Sequence, residues 1–212
     1  MRFRILSLPL LTLIGCGEQP LDPEARQAIS PDQAMAKGYE LKGTILFVVR
    51  DLNTSATSIH AMNADGSGDV NLTPGPWGGI NPDWSSKTRL IAFTDDRFGS
   101  FDIFVMREDG TGVTRLTSDP ADEMNPAWSP DGRQIAFDSD ADGDSEIYVM
   151  NADGTGTDQL TQNGSNETQP FWSPDGRIAF QAPGGLMVMN PDGSNVQSLF
   201  PTTSLLGGQW SP

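Results

Sequence analysis

From residue 43 onward, short apolar segments alternate with polar turns, and the whole pattern occurs four times. Glycine or proline interrupts the chain after every few residues, and no segment shows the periodicity of an amphipathic helix. One apolar triplet marks each repeat: Ile45-Leu46-Phe47, Ile91-Ala92-Phe93, Ile135-Ala136-Phe137 and Ile178-Ala179-Phe180. The pattern predicts an all-β fold.

Two further markers fix the length of the repeat. Methionines that precede an Asp-Gly turn are spaced by 44, 44 and 39 residues: Met62, Met106, Met150 and Met189. Tryptophans followed by serine are spaced by 44, 44 and 38 residues: Trp84, Trp128, Trp172 and Trp210. Units of about 40–45 residues are typical of propeller blades, which hide their flanks by packing around an axis. The sequence therefore predicts a β-propeller of four four-stranded blades.

The third unit shows how one blade is built. Strand-sized segments cover residues 125–128, 134–137, 146–150 and 159–161. Asp131-Gly132 joins the first two segments, and Asp153-Gly154 joins the last two. Asp-Gly supplies the positive φ that a tight hairpin turn needs.

The two ends of the repeat array leave two arrangements open. The array begins with the second strand of a blade, at Ile45, and its last segment, Gln209-Trp210-Ser211, corresponds to a first strand. Pairing of these N- and C-terminal strands would close a ring of four blades and remove two exposed sheet edges. The alternative is a fragment of a larger propeller, which predicts self-association through the open flanks.

The repeat strings resemble a known family. Three strings of the third unit are similar to the WD40-like repeats of TolB-like propellers: Trp-Ser-Pro-Asp-Gly at 128–132, Ile-Ala-Phe at 135–137 and Ile-Tyr-Val-Met-Asn-Ala-Asp-Gly at 147–154. The resemblance covers residues 43–212. It implies a non-enzymatic propeller that binds a protein partner in the bacterial cell envelope. Similar repeats occur in tricorn protease and oligogalacturonate lyases, so the resemblance is more specific for fold than for function.

The N-terminus resembles a bacterial lipoprotein signal. Arg2 and Arg4 precede an apolar run at 5–14, which is too short to span a bilayer. The run ends in Leu13-Ile14-Gly15-Cys16, which resembles a lipobox and implies cleavage before Cys16 and lipidation of that residue.

Three segments follow from this resemblance. Residues 1–15 form the signal peptide, residues 16–42 form the lipidated cysteine and a flexible tether, and residues 43–212 form the propeller domain. Gly17 in place of aspartate after the cysteine indicates delivery to the outer membrane, facing either the periplasm or the cell surface.

Composition excludes several classes of function. The chain has 28 acidic and 13 basic side chains, a formal charge of -15, and this argues against nucleic-acid binding. One histidine, His60, and one cysteine exclude a disulfide and a metal site with several His or Cys ligands within one copy. No catalytic residue stands out, so we predict that the protein is not an enzyme. A hydrolase or lyase that uses carboxylates on glycans or peptides is the alternative.

Candidate binding residues lie on the loops opposite the Asp-Gly hairpins and on the innermost strands. Loops on a rigid scaffold are the usual place for binding. The candidates for partner binding are Trp77, Asp95, Asp96, Arg97, Phe98, Phe101, Asp122 and Glu123. Asn81, Asn125 and Gln169 recur at one position of the first strand and are predicted to line the central channel.

An acidic hairpin in the third unit suggests calcium without requiring it. Asp138, Asp140, Asp142 and Asp144 alternate like the start of an EF-hand loop. The match then fails, because Val149 stands where the loop needs a glutamate. We therefore favour an acidic turn without a cofactor, and keep a calcium-stabilised structural module as an alternative.

Overall fold

The computed structural model describes residues 43–75 and 78–201. Several sequence predictions lie outside these residues: the signal peptide and tether with Cys16, the loop residue Trp77, and the closing strand around Trp210. The described residues form fifteen strands and no helix. The strands are β1 Thr44–Arg50, β2 Thr57–Asn63, β3 Val70–Asn71, β4 Gly79–Trp84, β5 Leu90–Asp95, β6 Asp102–Arg107, β7 Thr114–Arg115, β8 Glu123–Trp128, β9 Gln134–Ser139, β10 Glu146–Asn151, β11 Asp158–Gln159, β12 Thr168–Trp172, β13 Ile178–Ala182, β14 Gly185–Met189 and β15 Gln197–Pro201.

The strands form four antiparallel sheets, one for each repeat, which confirms the all-β propeller with four blades. Blades two, three and four each have four strands in chain order, β4–β7, β8–β11 and β12–β15. Blade one has three strands, β1–β3, among the described residues. The segment predicted to complete it, at 209–211, is among the residues that are not described, so ring closure stays a prediction.

The Asp-Gly hairpins form because their side chains satisfy the turn. In blade three, Oδ1 of Asp153 accepts hydrogen bonds from the backbone N (3.0 Å) and Oγ1 (2.7 Å) of Thr155. Gly154 follows at φ 85°, a conformation that residues with a Cβ adopt only at a cost. These hydrogen bonds hold the pKa of Asp153 below its ordinary value. The same turn joins the last two strands of the other three blades, with Asp65, Asp109 and Asp192 in place of Asp153.

The hydrophobic core lies between blades. One cluster joins Ile103 and Val105 of blade two to Trp128, Ile135 and Phe137 of blade three. Similar clusters join blade one to blade two and blade three to blade four. Each sheet therefore buries its face against its neighbour, as a propeller requires.

The first strands of blades two, three and four pack against one another in turn. Strand β8 packs against both β4 and β12, whereas the outermost strands make no comparable packing between blades in the described residues. This places β4, β8 and β12 innermost. Among the same residues, no comparable packing joins β12–β15 to β1–β3.

A bulge interrupts each innermost strand at the same position. The register shifts between Ile80 and Asp83, and correspondingly in β8 and β12. The bulged residues adopt positive φ: Asn81 at 50°, Asn125 at 54° and Gln169 at 54°. Positive φ is uncommon for residues with a Cβ, and a bulge re-aims the side chain at that position.

Candidate functional site

The candidate site is the surface formed by the loops opposite the Asp-Gly hairpins. We call this surface the acidic loop face and define it by residues 96–101, 118–122 and 140–145. It comprises the β5–β6 loop, the β7–β8 connection and the β9–β10 loop. Because strands alternate in direction within each blade, these loops share one end of the molecule.

An ion pair fixes the β5–β6 loop. Asp95 ends strand β5 and is fully buried. Its carboxylate accepts hydrogen bonds from Nε (2.9 Å) and Nη2 (2.6 Å) of Arg97, and from the backbone N of the same residue (2.9 Å). The guanidinium also lies 5.0 Å from the ring centroid of Phe104. A bidentate ion pair of this kind fixes the orientation of the Arg97 side chain and connects the β5–β6 loop to the end of strand β5.

Phe98 is the exposed aromatic side chain on this loop, with 62% of its surface accessible. Its ring stacks on Phe104 with a centroid distance of 6.2 Å. The guanidinium of Arg115 lies 4.6 Å from the centroid of the Phe98 ring. Contacts with Phe104 and Arg115 therefore fix the position of the Phe98 ring.

Hydrogen bonds join the loops of blades two and three. Oδ1 of Asp122 accepts from the backbone N of Phe101 at 2.9 Å. Oδ1 of Asp140 accepts from the backbone N of Asp122 at 2.9 Å. The backbone N of Glu123 donates to the carbonyl of Phe101 at 2.7 Å. The acidic loop face is thus one connected surface across the junction between the two blades.

Burial changes the role of two predicted partner-binding residues. Asp95 is fully buried and Glu123 is 1% exposed, so neither offers its side chain to a partner. Oε1 of Glu123 accepts from Oγ of Ser139 at 3.2 Å. Burial, with Asp119 close by, raises the pKa of Glu123 to about 8. The members of the predicted set that the structure exposes are Asp96, Phe98 and Asp122.

The predicted channel residues come together through hydrogen bonds. Nδ2 of Asn81 donates to Oδ1 of Asn125 at 2.7 Å, and Nδ2 of Asn125 donates to Oδ1 of Asp138 at 2.9 Å. The backbone N of Gln169 also donates to Oδ1 of Asp138, at 2.8 Å. Burial raises the pKa of Asp138 to about 6. These amides link three innermost strands, and a ligand in the channel stays a prediction.

The four aspartates that the sequence suggested as calcium ligands lie in two separate groups in the structure. Asp138 belongs to the amide row, and Asp140 bonds the neighbouring loop. Asp142 and Asp144 come together with Glu146, and one carboxylate oxygen from each lies within 4.8 Å of the others. The alternation of aspartates in the sequence did not indicate this division, which depends on how the β9–β10 hairpin places each side chain.

The sequence analysis also missed a buried glutamate beside this group. Glu167 is 4% exposed, and its backbone N donates to the carbonyl of Ser145 at 2.6 Å. Burial and the nearby carboxylate of Glu146 raise the pKa of Glu167 to about 7. One signal was available in the sequence: Glu123 and Glu167 are 44 residues apart, so they occupy the same place in successive blades.

The fold and this surface define a class of protein: an acidic β-propeller whose rigid loop face presents an aromatic side chain among carboxylates. None of the described residues belongs to a helix long and apolar enough to cross a membrane.

Comparison with known proteins gives the family. The family model of the TolB beta propeller domain matches residues 37–183, and the chain belongs to that family. A comparison with curated protein sequences finds no match.

Solved structures share the fold at low sequence identity. The putative TolB from Agrobacterium tumefaciens is 24% identical with a TM-score of 0.65, over 74% of this chain and 64% of that one. TolB from Acinetobacter baumannii is 20% identical with a TM-score of 0.67, over 76% of this chain and 42% of that one. A puromycin-hydrolyzing peptidase from Mycobacterium tuberculosis is 15% identical with a TM-score of 0.60, over 78% and 28%. The chain spans less than two thirds of both TolB chains.

Proposed function

We propose that this protein is a non-enzymatic scaffold of the bacterial cell envelope that binds a protein partner through its acidic loop face. Phe98 carries the proposal, because it is an exposed aromatic ring held by contacts with Phe104 and Arg115. Aromatic side chains that are rigid before binding lose little conformational freedom on association and are common energetic centres of interfaces. Asp96 beside it is exposed and favours a partner with a basic rim.

The envelope location is part of the same proposal. The lipobox-like sequence that ends in Cys16 supports a lipid anchor, with residues 16–42 as the tether and the outer membrane as the destination. The anchor would keep the propeller at the membrane surface, where a partner in the envelope can reach the loop face. The mass of the mature protein tests this part: an unmodified Cys16 would contradict it.

Non-enzymatic function is supported by the burial of two glutamates whose pKa values are raised. Glu123 and Glu167 have raised pKa values, as general acids often do. Both are covered by protein, at 1% and 4% exposure, so a glycan or peptide bond would not reach them without opening of the loops. Turnover of a glycan or peptide that is lost in Glu123→Gln would instead favour the enzyme.

Crosslinking in intact envelopes tests partner binding. We expect the wild-type chain to give a reproducible crosslinked protein, and Phe98→Ala to weaken that interaction by at least tenfold. A hot-spot aromatic contributes about 2 kcal/mol or more, which corresponds to about thirtyfold, so a tenfold loss is the minimum expected.

Val113→Ala is the matched control, since Val113 is also exposed (41%) but lies at the end with the Asp-Gly hairpins. Equal partner recovery from wild type, Phe98→Ala and Val113→Ala would overturn the proposed role of the loop face. A loss in Val113→Ala alone would move the interface to the opposite end.

A further inference from the structure

A group of carboxylates that reaches from the surface into the protein lies at the junction of blades three and four: Asp142 is exposed, Asp144 is half-buried and Glu146 is buried. Glu146 is fully buried at the start of β10. Its Oε1 accepts from the backbone N of Asn163 at 2.7 Å, whereas its Oε2 is buried and meets no donor among the described residues. This carboxylate lies with those of Asp142 and Asp144, which contribute oxygens within 4.8 Å of one another. Glu167, also buried, adds a fourth carboxylate beside Glu146.

The same place one blade earlier contains a cation. Asp102 and Glu123 precede Glu146 and Glu167 by 44 residues. There Nη2 of Arg115 lies 2.8 Å from the carboxylate of Asp102, which is fully buried. Burial raises the pKa of Asp102, and the guanidinium of Arg115 offsets part of that rise because it favours the charged carboxylate.

Substitutions at equivalent positions distinguish the junction of blades three and four from the junction of blades two and three. Gln159 stands where the previous blade has Arg115, so the cation is replaced by a neutral amide, whose Nε2 donates to Oδ2 of Asp142 at 2.6 Å. Asp142 and Asp144 stand where the previous blade has Phe98 and Ser100. Asn163 stands where the previous blade has Asp119, so one acidic side chain has been lost as well. At these positions the later junction has therefore lost one positive and one negative charge and gained two negative ones, and their net charge is more negative by two.

No side chain in the described part of the chain neutralises this group. None of the ion pairs there involves Asp142, Asp144, Glu146 or Glu167. Oδ2 of Asp144, like Oε2 of Glu146, is buried from solvent and meets no hydrogen-bond donor among the described residues. Such a group is stable when protonated or when a cation binds it.

We propose that Asp142, Asp144, Glu146 and Glu167 bind a calcium ion that takes the place of the arginine present one blade earlier. All four donors are carboxylate oxygens, which are hard ligands suited to Ca²⁺. Two oxygens on one Ca²⁺ at about 2.3–2.6 Å lie up to about 5 Å apart. One carboxylate oxygen each from Asp142, Asp144 and Glu146 meets this condition, since these oxygens lie within 4.8 Å of one another. Glu167, beside Glu146, is proposed as the fourth ligand. The exposed side chain of Asp142 leaves the ion a path from solvent.

This ligand set differs from the one suggested by the alternation of aspartates. Asp138 and Asp140 make hydrogen bonds elsewhere, and the two glutamates replace them. Unlike an EF-hand loop, the proposed site draws its ligands from two blades: Asp142, Asp144 and Glu146 from blade three, and Glu167 from the start of blade four. Calcium there would fasten the two blades together.

Titration with CaCl2 alone tests the site on the full chain after removal of divalent ions with EDTA. We expect isothermal titration calorimetry to give one Ca²⁺ per chain. At a hundredfold excess over Kd, we expect the melting temperature to rise by about 5–10 °C. Glu146→Gln should weaken binding by at least tenfold, whereas Glu123→Gln, at the arginine-containing junction, should leave it unchanged.

Gln159→Arg provides a second test that does not remove a ligand. By analogy with Arg115, the new guanidinium should raise the melting temperature in EDTA and abolish the further rise with Ca²⁺. The proposal is overturned if calcium neither binds the wild-type chain nor shifts its melting temperature at millimolar concentration. It is equally overturned if Glu146→Gln binds as tightly as wild type, or if Mg²⁺ binds and Ca²⁺ does not.

Discussion

At the scale of single residues, equivalent glycines experience different surroundings in different blades. A Cβ on Gly154 would lie 2.9 Å from the backbone O of Leu116 in the preceding blade, and a Cβ on Gly110 would lie 2.6 Å from that of Leu72. A Cβ on Gly66, in blade one, would meet nothing within 4 Å. The glycine of each later turn therefore serves two purposes, a positive φ and close approach to the neighbouring blade, whereas Gly66 serves only the first.

We predict that Gly154→Ala destabilises the protein more than Gly66→Ala. The positive φ alone costs about 1–2 kcal/mol and applies to both. In Gly154→Ala the overlap with the Leu116 carbonyl adds about 1–3 kcal/mol, since backbone must shift. Urea unfolding of the two variants beside wild type measures the difference. Equal losses of unfolding free energy would mean that blades two and three do not meet at this turn.

At the scale of elements, each blade depends on the adjacent blade to bury the side chains of its strands. Trp128 at the end of β8 is 6% exposed and packs in the cluster that joins blades two and three. Nε1 of Trp172, one blade later, donates to the carbonyl of Ala127 at 3.1 Å. Three of the repeated tryptophans, Trp84, Trp128 and Trp172, thus pack at the junctions between blades.

Trp128→Ala should cost about 3–5 kcal/mol of unfolding free energy, because it leaves a large cavity between two sheets. Leu52→Ala is the control: Leu52 is 87% exposed on a loop, and its truncation should change stability by less than about 0.5 kcal/mol. Denaturant unfolding followed by tryptophan fluorescence and by circular dichroism gives both values. An unchanged midpoint in Trp128→Ala would show that the blade alignment is wrong.

The repeat markers predicted the strands well because strand and turn are local properties. The segments expected at 134–137 and 146–150 are observed as Gln134–Ser139 and Glu146–Asn151. The bulge at Asn125 was not predicted, since it depends on how β8 pairs with β9. Burial of Asp95 and Glu123 was not predicted either, because acidic loop residues are usually exposed. Comparing Arg115 with Gln159 across repeats would have indicated the unbalanced charge.

At the scale of the whole molecule, the chain has a formal charge of -15, and several of its acidic side chains are buried. Burial raises the pKa of Asp83 and of Asp138 to about 6, of Glu167 to about 7 and of Glu123 to about 8. Between their ordinary values near 4 and these raised values, the folded chain holds protons that the unfolded chain has released. Stability then falls as the pH rises.

We therefore expect the unfolding free energy to decrease from about pH 5 to about pH 8 in EDTA. Below pH 4 the trend reverses, because Asp65, Asp153 and Asp192 have lowered pKa values and lose their turn hydrogen bonds on protonation. Urea unfolding across this pH range is measured at low and at high salt. Salt screens the general repulsion between surface charges, so the pH dependence that remains at high salt comes from the buried groups. Glu123→Gln should flatten the slope near neutral pH. A stability that rises from pH 5 to 8 would contradict this assignment.

The sharing of each hydrophobic cluster between two neighbouring sheets has a consequence for the history of the chain. Duplicating one unit of 44 residues would add one sheet and, with it, one more junction of the same composition. Such an array can lengthen or shorten by whole units while every existing junction keeps its partners. Gene duplication can thus alter the number of sheets, and only the charges at particular junctions need to diverge afterwards.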